Sequence, residues 1–206
     1  MRLRSGVLAL AALLLLGGAQ AVHGQLQGAF ETIAPAPKPH SLKVVQIEEY
    51  LNFTCPHCNN FRPGLAQLKS RFGERIRVTS IPILFRGQTD APLRLFFIAQ
   101  AAGKAETVKD VIFDAAFKFG VNIYDPAVVS YLARSSGLGS RYEQEAGAEW
   151  VTRKVREAQE KAGRAGIQAT PTVVLQGALR VVPQGGMQAF VGTLESLIEQ
   201  LLVKPS

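Results

Sequence analysis

Between Lys43 and Phe53 the chain reads KVVQIEEYLNF, and Val45, Ile47, Glu49, Leu51 and Phe53 fall in phase on one face. Alternation among β-branched and aromatic residues predicts a strand. The period then changes. Phe61, Leu65, Leu68 and Phe72 recur at helical spacing and Gly73 ends the run, so a helix follows, with Pro63 expected to kink it. IRVTSIPILF, residues 76 to 85, restores the strand pattern and completes a β-α-β unit. From about residue 90 the pattern is helical throughout. APLRLFFIAQAAG and ETVKDVIFDAAFKFG predict two helices, and Asp125-Pro126 supply the cap and first residue of a third. Ser140 and Glu143 form a capping box for a long fourth segment whose stripe includes Val151, Val155, Ala158 and Ala162. The strand period returns at TVVLQGALRVV, residues 172 to 182, with Gly177 placed for a hairpin turn. A last amphipathic helix carries Phe190, Leu194, Leu197, Ile198, Leu201 and Leu202. A short strand over Phe30 to Ile33 and a proline-rich connector precede the whole. The pattern is α/β with an inserted all-helical subdomain: residues 22–87 and 166–206 form the two parts of one domain and residues 88–165 the insertion.

The N-terminus changes where this domain is expected to work. Arg2 and Arg4 precede an apolar run over residues 7 to 16, and Ala19-Gln20-Ala21 offers small residues for cleavage. That is the layout of a secretory signal peptide over residues 1–21, too short in its apolar part to span a bilayer. The expected compartment is periplasmic. The formal charge of +7 is spread along the chain. Its densest run, Arg153, Lys154, Arg156, Lys161 and Arg164, is interleaved with Glu157 and Glu160, the pattern of a solvated helix face and not of a nucleic-acid footprint.

Both cysteines lie in FTCPHCNNF, residues 53 to 61. A structural disulfide gains most from closing a long loop, and Cys55 with Cys58 would close almost none. A structural zinc site needs four ligands, yet there is no second pair and the remaining histidines besides His57 are His23 and His40, near the N-terminus. Haem attachment needs histidine directly after the second cysteine, where Asn59 stands. Redox chemistry is the leading reading, with a partial metal site and an incidental buried pair as alternatives. No cofactor is called for. At the start of a helix, Cys55 would lie beside free backbone N–H groups and the positive end of the helix dipole, both of which favour a thiolate nucleophile. His57 is close enough to add to that effect, and Pro56 restricts the loop. Cys58, one turn deeper, would be shielded and close the disulfide. Glu49 interrupts an apolar strand face. It either sits at an edge and reaches water or is a buried acid that relays the proton of Cys58. Pro171 begins a strand; if its bond to Thr170 is cis, the turn can face the thiols and leave a backbone edge free for an extended peptide. Asn52-Phe53-Thr54 matches a glycosylation sequon but leads straight into Cys55, where a glycan would hide the thiols, and is taken as chance.

Signal peptide, strand IEEYLNF, CPHC, helical insertion, then Thr-Pro before a hairpin and a C-terminal helix: in these features the chain resembles the thioredoxin superfamily, and more closely its DsbA branch of periplasmic thiol oxidases. The resemblance implies a thioredoxin-like fold. It also implies Cys55 as nucleophile, Cys58 as resolving cysteine, His57 as the residue tuning Cys55, Glu49 as buried acid and Pro171 as cis-proline. Relatives of this kind donate their disulfide to newly exported proteins and are reoxidised by a quinone-linked membrane partner. Thr170 stands where the best-known DsbA proteins have valine, and threonine is common in reductase-like and isomerase-like relatives. The short segment before Lys43 argues for a monomer. A reductase or isomerase of the same fold is the alternative reading, followed by a periplasmic holdase or adaptor.

Overall fold

A computed structural model describes residues 25–204. The signal peptide expected over residues 1–21 therefore lies outside the described residues.

Five strands form one mixed sheet: β1 (Glu31–Thr32), β2 (Val45–Leu51), β3 (Ile76–Pro82), β4 (Thr172–Leu175) and β5 (Leu179–Val181), in the order β1-β5-β4-β2-β3. Only β2 and β3 run parallel. A parallel pair needs a crossover, and α1 (Pro56–Phe72) with a 3-10 turn at Gly73–Arg75 supplies it. The hairpin between β4 and β5 turns at Gln176 and Gly177, whose φ angles of 55° and 64° are both positive, as a tight hairpin turn requires.

Two apolar cores flank the sheet. One, under α1 and α7 (Met187–Leu201), gathers Val45, Ile47, Phe61, Leu68, Phe190 and Leu197. There α1 passes so close to α7 that a Cβ on Gly64 would collide with Val191 Cγ2. The other is built by the insertion, α2 (Ala91–Ala101), α3 (Ala105–Phe117), α4 (Pro126–Ser135), α5 (Gly139–Glu145) and α6 (Glu149–Arg164), and takes in Leu51, Phe53 and Cys58. The single strand face expected from Val45 to Phe53 is thus divided between two cores. From Glu49 to Leu51 every residue of β2 is buried, because this interior strand is covered on both faces.

Pro63 lies inside α1, which continues past it to Phe72. One other local expectation changed. Ser140 and Glu143 do not cap a long helix: both lie inside α5, whose N-cap is Leu138, and the apolar stripe from Val151 belongs to α6, entered from extended backbone at Ala148. Burial decides this. Leu138 and Tyr142 are packed into the insertion core, and their burial fixes where the chain turns. At α4 the expectation holds, since Asp125 Oδ1 accepts from Ala127 N at 2.8 Å. No helix among the described residues is long and apolar enough to cross a membrane.

Candidate active site

Strand β2 ends at Leu51, and four residues later the chain enters α1 with Cys55 as the N-cap and Pro56 in the first turn. Proline is pre-set for that position and has no N–H to leave unpaired. Both cysteines are free thiols, Cys55 partly exposed and Cys58 buried with 1% of its surface accessible. The Cys55 sulfur donates to the Thr170 carbonyl at 3.1 Å, a bond that stabilises the thiol. The opposing contacts are stronger. Hydrogen bonding from the Cys58 thiol outweighs the cost of burial, and with the Thr170 side chain and the backbone N–H groups of Cys58 and His57 it lowers the Cys55 pKa from 9.0 to about 5. Burial, reinforced by the neighbouring Cys55, pushes Cys58 the other way, far above the ordinary thiol range.

His57 is exposed, and its backbone N–H rather than its ring is what reaches toward the Cys55 sulfur. Its ring lines a 760 Å³ cleft together with Asn60, Gln168, Thr170, Pro171 and Met187. The Thr170–Pro171 bond is cis, and both residues line this cleft.

Glu49 is not at an edge. It lies on β2, an interior strand between β4 and β3, 1% exposed, accepting from Ser80 Oγ at 2.5 Å and from Lys109 Nζ at 3.1 Å. Burial would lower the Lys109 pKa, but the Glu49 and Glu106 carboxylates outweigh it and hold the ammonium above its ordinary value. Lys109 was missed by sequence reasoning, although a signal was there. It falls on the apolar stripe of α3 beside Val108, Ile112 and Phe113, as Glu49 falls on the apolar face of β2. Two misplaced charges of opposite sign make a candidate pair. Among the described residues no group of acidic, histidine and cysteine side chains is arranged to hold a metal ion.

Residues 46–195 match the family described as DSBA-like thioredoxin domain. The chain belongs to that family. It is an oxidoreductase of the thiol:disulfide class, in keeping with the curated relatives it resembles. One of these, the thiol:disulfide interchange protein DsbA of Azotobacter vinelandii, is 26% identical over 172 residues, covering 82% of this chain and 79% of the relative. The fold is shared with solved structures. DsbA of Pseudomonas aeruginosa superposes with a TM-score of 0.70 at 19% identity, covering 84% of this chain and 91% of that one. A Proteus DsbA solved with a non-covalently bound peptide, PWATCDS, superposes with a TM-score of 0.67 at 16% identity, covering 87% and 98%.

Proposed function

We propose that this chain is an exported disulfide oxidase, working in the periplasm as a monomer after removal of residues 1–21. The observation that carries the reading is the opposite character of two thiols one turn apart: Cys55 partly exposed, hydrogen-bonded to Thr170 and with its pKa lowered, Cys58 buried and with its pKa raised. In the oxidised protein a client thiolate attacks the Cys55 sulfur, forming a mixed disulfide and releasing Cys58, which takes up a proton. A second client thiolate then attacks the client sulfur of that mixed disulfide, and Cys55 leaves as the stabilised thiolate. Two electrons pass from client to enzyme, and the client gains the disulfide. The leaving group decides the direction, because a thiol of low pKa leaves most readily.

The other site residues take supporting roles in this scheme. Pro56 fixes the loop that aims the helix N–H groups at Cys55, and His57 faces the client from the cleft. Thr170 and Pro171 line the cleft where an extended client segment would lie, and the peptide bound to the Proteus relative supports a client of that kind. Glu49 is assigned to accept and return the proton of Cys58, with Lys109 balancing its charge. Reoxidation is assigned to a quinone-linked membrane protein.

The test is to mix disulfide-form protein with a reduced client peptide carrying two cysteines. Stoichiometric appearance of the client disulfide, abolished by Cys55→Ser, is the expected outcome. Absence of transfer while the same protein reduces insulin would favour a reductase, and retained suppression of client aggregation by Cys55→Ser would favour a holdase.

A further inference from the structure

Asn52 is the first residue after β2, and only 2% of it is accessible. An amide buried so deeply is costly unless its donors and acceptors are all used. They are. Asn52 Nδ2 donates to the Ile83 carbonyl at 2.8 Å and to Gln88 Oε1 at 2.7 Å, and its Oδ1 accepts from Thr54 N at 3.0 Å and Thr54 Oγ1 at 2.9 Å. Having given its proton to Asn52, the Thr54 hydroxyl can only accept. It accepts from Gln88 Nε2 at 3.0 Å, and the Tyr124 hydroxyl stands 3.2 Å away with a proton to give. Gln88 Oε1 takes one more bond, from Phe85 N at 2.8 Å. The directions of all these bonds agree with a single assignment of protons and amide orientations.

The same residue touches both thiols through its backbone. The Asn52 carbonyl accepts from Cys55 N at 3.0 Å, and its backbone N–H hydrogen-bonds the Cys58 sulfur. Tyr124 belongs to the loop between α3 and α4, and Gln88 to the loop between β3 and α2. Both protons of Asn52 Nδ2 are engaged, which agrees with taking Asn52-Phe53-Thr54 as a chance sequon.

We infer that Asn52, Thr54, Gln88 and Tyr124 form a positioning network that holds the Cys55–Cys58 loop against the helical insertion and keeps the N–H groups of α1 aimed at the Cys55 sulfur. The inference rests on the assignment of Cys55 as the reactive thiol. The network is uncharged. Burial raises the Tyr124 pKa against the lowering influence of Thr54 and Asn52, so the hydroxyl keeps its proton while Cys55 titrates far below it. Its hold on the loop therefore does not change over the range in which the reactive thiol ionises.

The discriminating measurement is the ionisation of Cys55, read as thiolate absorbance against pH in the reduced protein. Thr54→Val keeps the shape but removes the hydroxyl's bonds to Asn52 Oδ1, Gln88 Nε2 and the Tyr124 hydroxyl, leaving Asn52 Oδ1 the bond from the backbone N–H of residue 54. Its Cys55 midpoint should rise by about one unit as the helix donors lose their aim, with Tyr124→Phe in between. Thr54→Ser, which keeps the hydroxyl, should restore the wild-type midpoint. Wild-type midpoints in both Thr54→Val and Tyr124→Phe, whatever their melting temperatures, would overturn the inference and leave the network a structural one. Should Thr54→Val not fold, Tyr124→Phe decides alone, since it removes only one hydroxyl. This titration is independent of client chemistry, so a failure of the oxidase reading would show separately, as absent disulfide transfer from the wild type.

Discussion

Cys55 and Cys58 are the same residue type, one helical turn apart, yet their surroundings divide them completely. Cys55 caps α1, partly exposed, where the Cys58 thiol, the Thr170 side chain and backbone N–H groups all favour negative charge. Cys58 points into the insertion core with Leu51 and Phe53, where a thiolate would have to be buried among apolar groups. The difference teaches that burial and hydrogen-bond donors, not residue type, decide which of two neighbouring thiols favours charge.

The widest consequence of that division is chemical selectivity. Near pH 6.5 Cys55 is almost wholly thiolate, whereas an ordinary thiol is ionised to about 1% and a buried one to less. Iodoacetamide should therefore label Cys55 about a thousandfold faster than Cys58 in the reduced protein, the adduct being located by mass spectrometry. Equal labelling, or labelling of Cys58 first, would remove the contrast on which the proposed mechanism stands.

A second buried polar site sharpens the contrast from the other side. Cys58 avoids charge in the interior, while Lys109 keeps its charge there beside Glu49 and Ser80. Lys109→Ala would strand a buried carboxylate and should destabilise the protein by about 3 to 5 kcal/mol in urea melts. Replacing the pair together, Glu49→Leu with Lys109→Met, should recover most of that loss. If Lys109→Ala costs less than about 1 kcal/mol, the carboxyl is not being held as an ion by this lysine.

Features carried by local chemistry are legible in the amino-acid sequence alone. The β-α-β unit around the cysteines, the Asp125 cap and the turn at Gly177 each follow from short stretches of neighbouring residues. What escaped was long-range. Ser140 and Glu143 have the spacing of a capping box, but the burial of Leu138 and Tyr142, fixed by the rest of the insertion, places the helix start elsewhere. Lys109 reaches Glu49 across 60 positions, and Gln88 reaches Asn52 across 36. A pattern read along one element cannot reveal a partner carried by another. Asn52 illustrates the point: along the chain it is half of a sequon, and in the fold it is the hub beside both thiols.

The smallest effect per step, and the one that tests both thiols at once, is the pH dependence of stability. The folded-state pKa of Cys55 is depressed from 9.0 to about 5, so its contribution to the reduced protein is full above the unfolded value and is lost as pH falls through about 5. The disulfide form has no such group. Between pH 5 and 9 the unfolded reduced chain therefore binds one more proton than the folded one, and the reduced form should gain on the oxidised form as pH rises. The slope in that window is about 1.4 kcal/mol per pH unit, and solvent screening at this partly exposed sulfur narrows the window, not the slope. Cys58 works in the opposite sense. Its folded pKa is raised, so its contribution is complete below the unfolded value and declines above it. The stability difference between reduced and oxidised protein should accordingly climb from about pH 5, pass through a maximum near pH 9 and then fall. Paired urea melts of the two redox forms across this range would trace the curve. A flat difference between about pH 5 and 9 would mean that Cys55 ionises no more readily in the fold than out of it, and the contrast between the two cysteines would then be one of exposure alone.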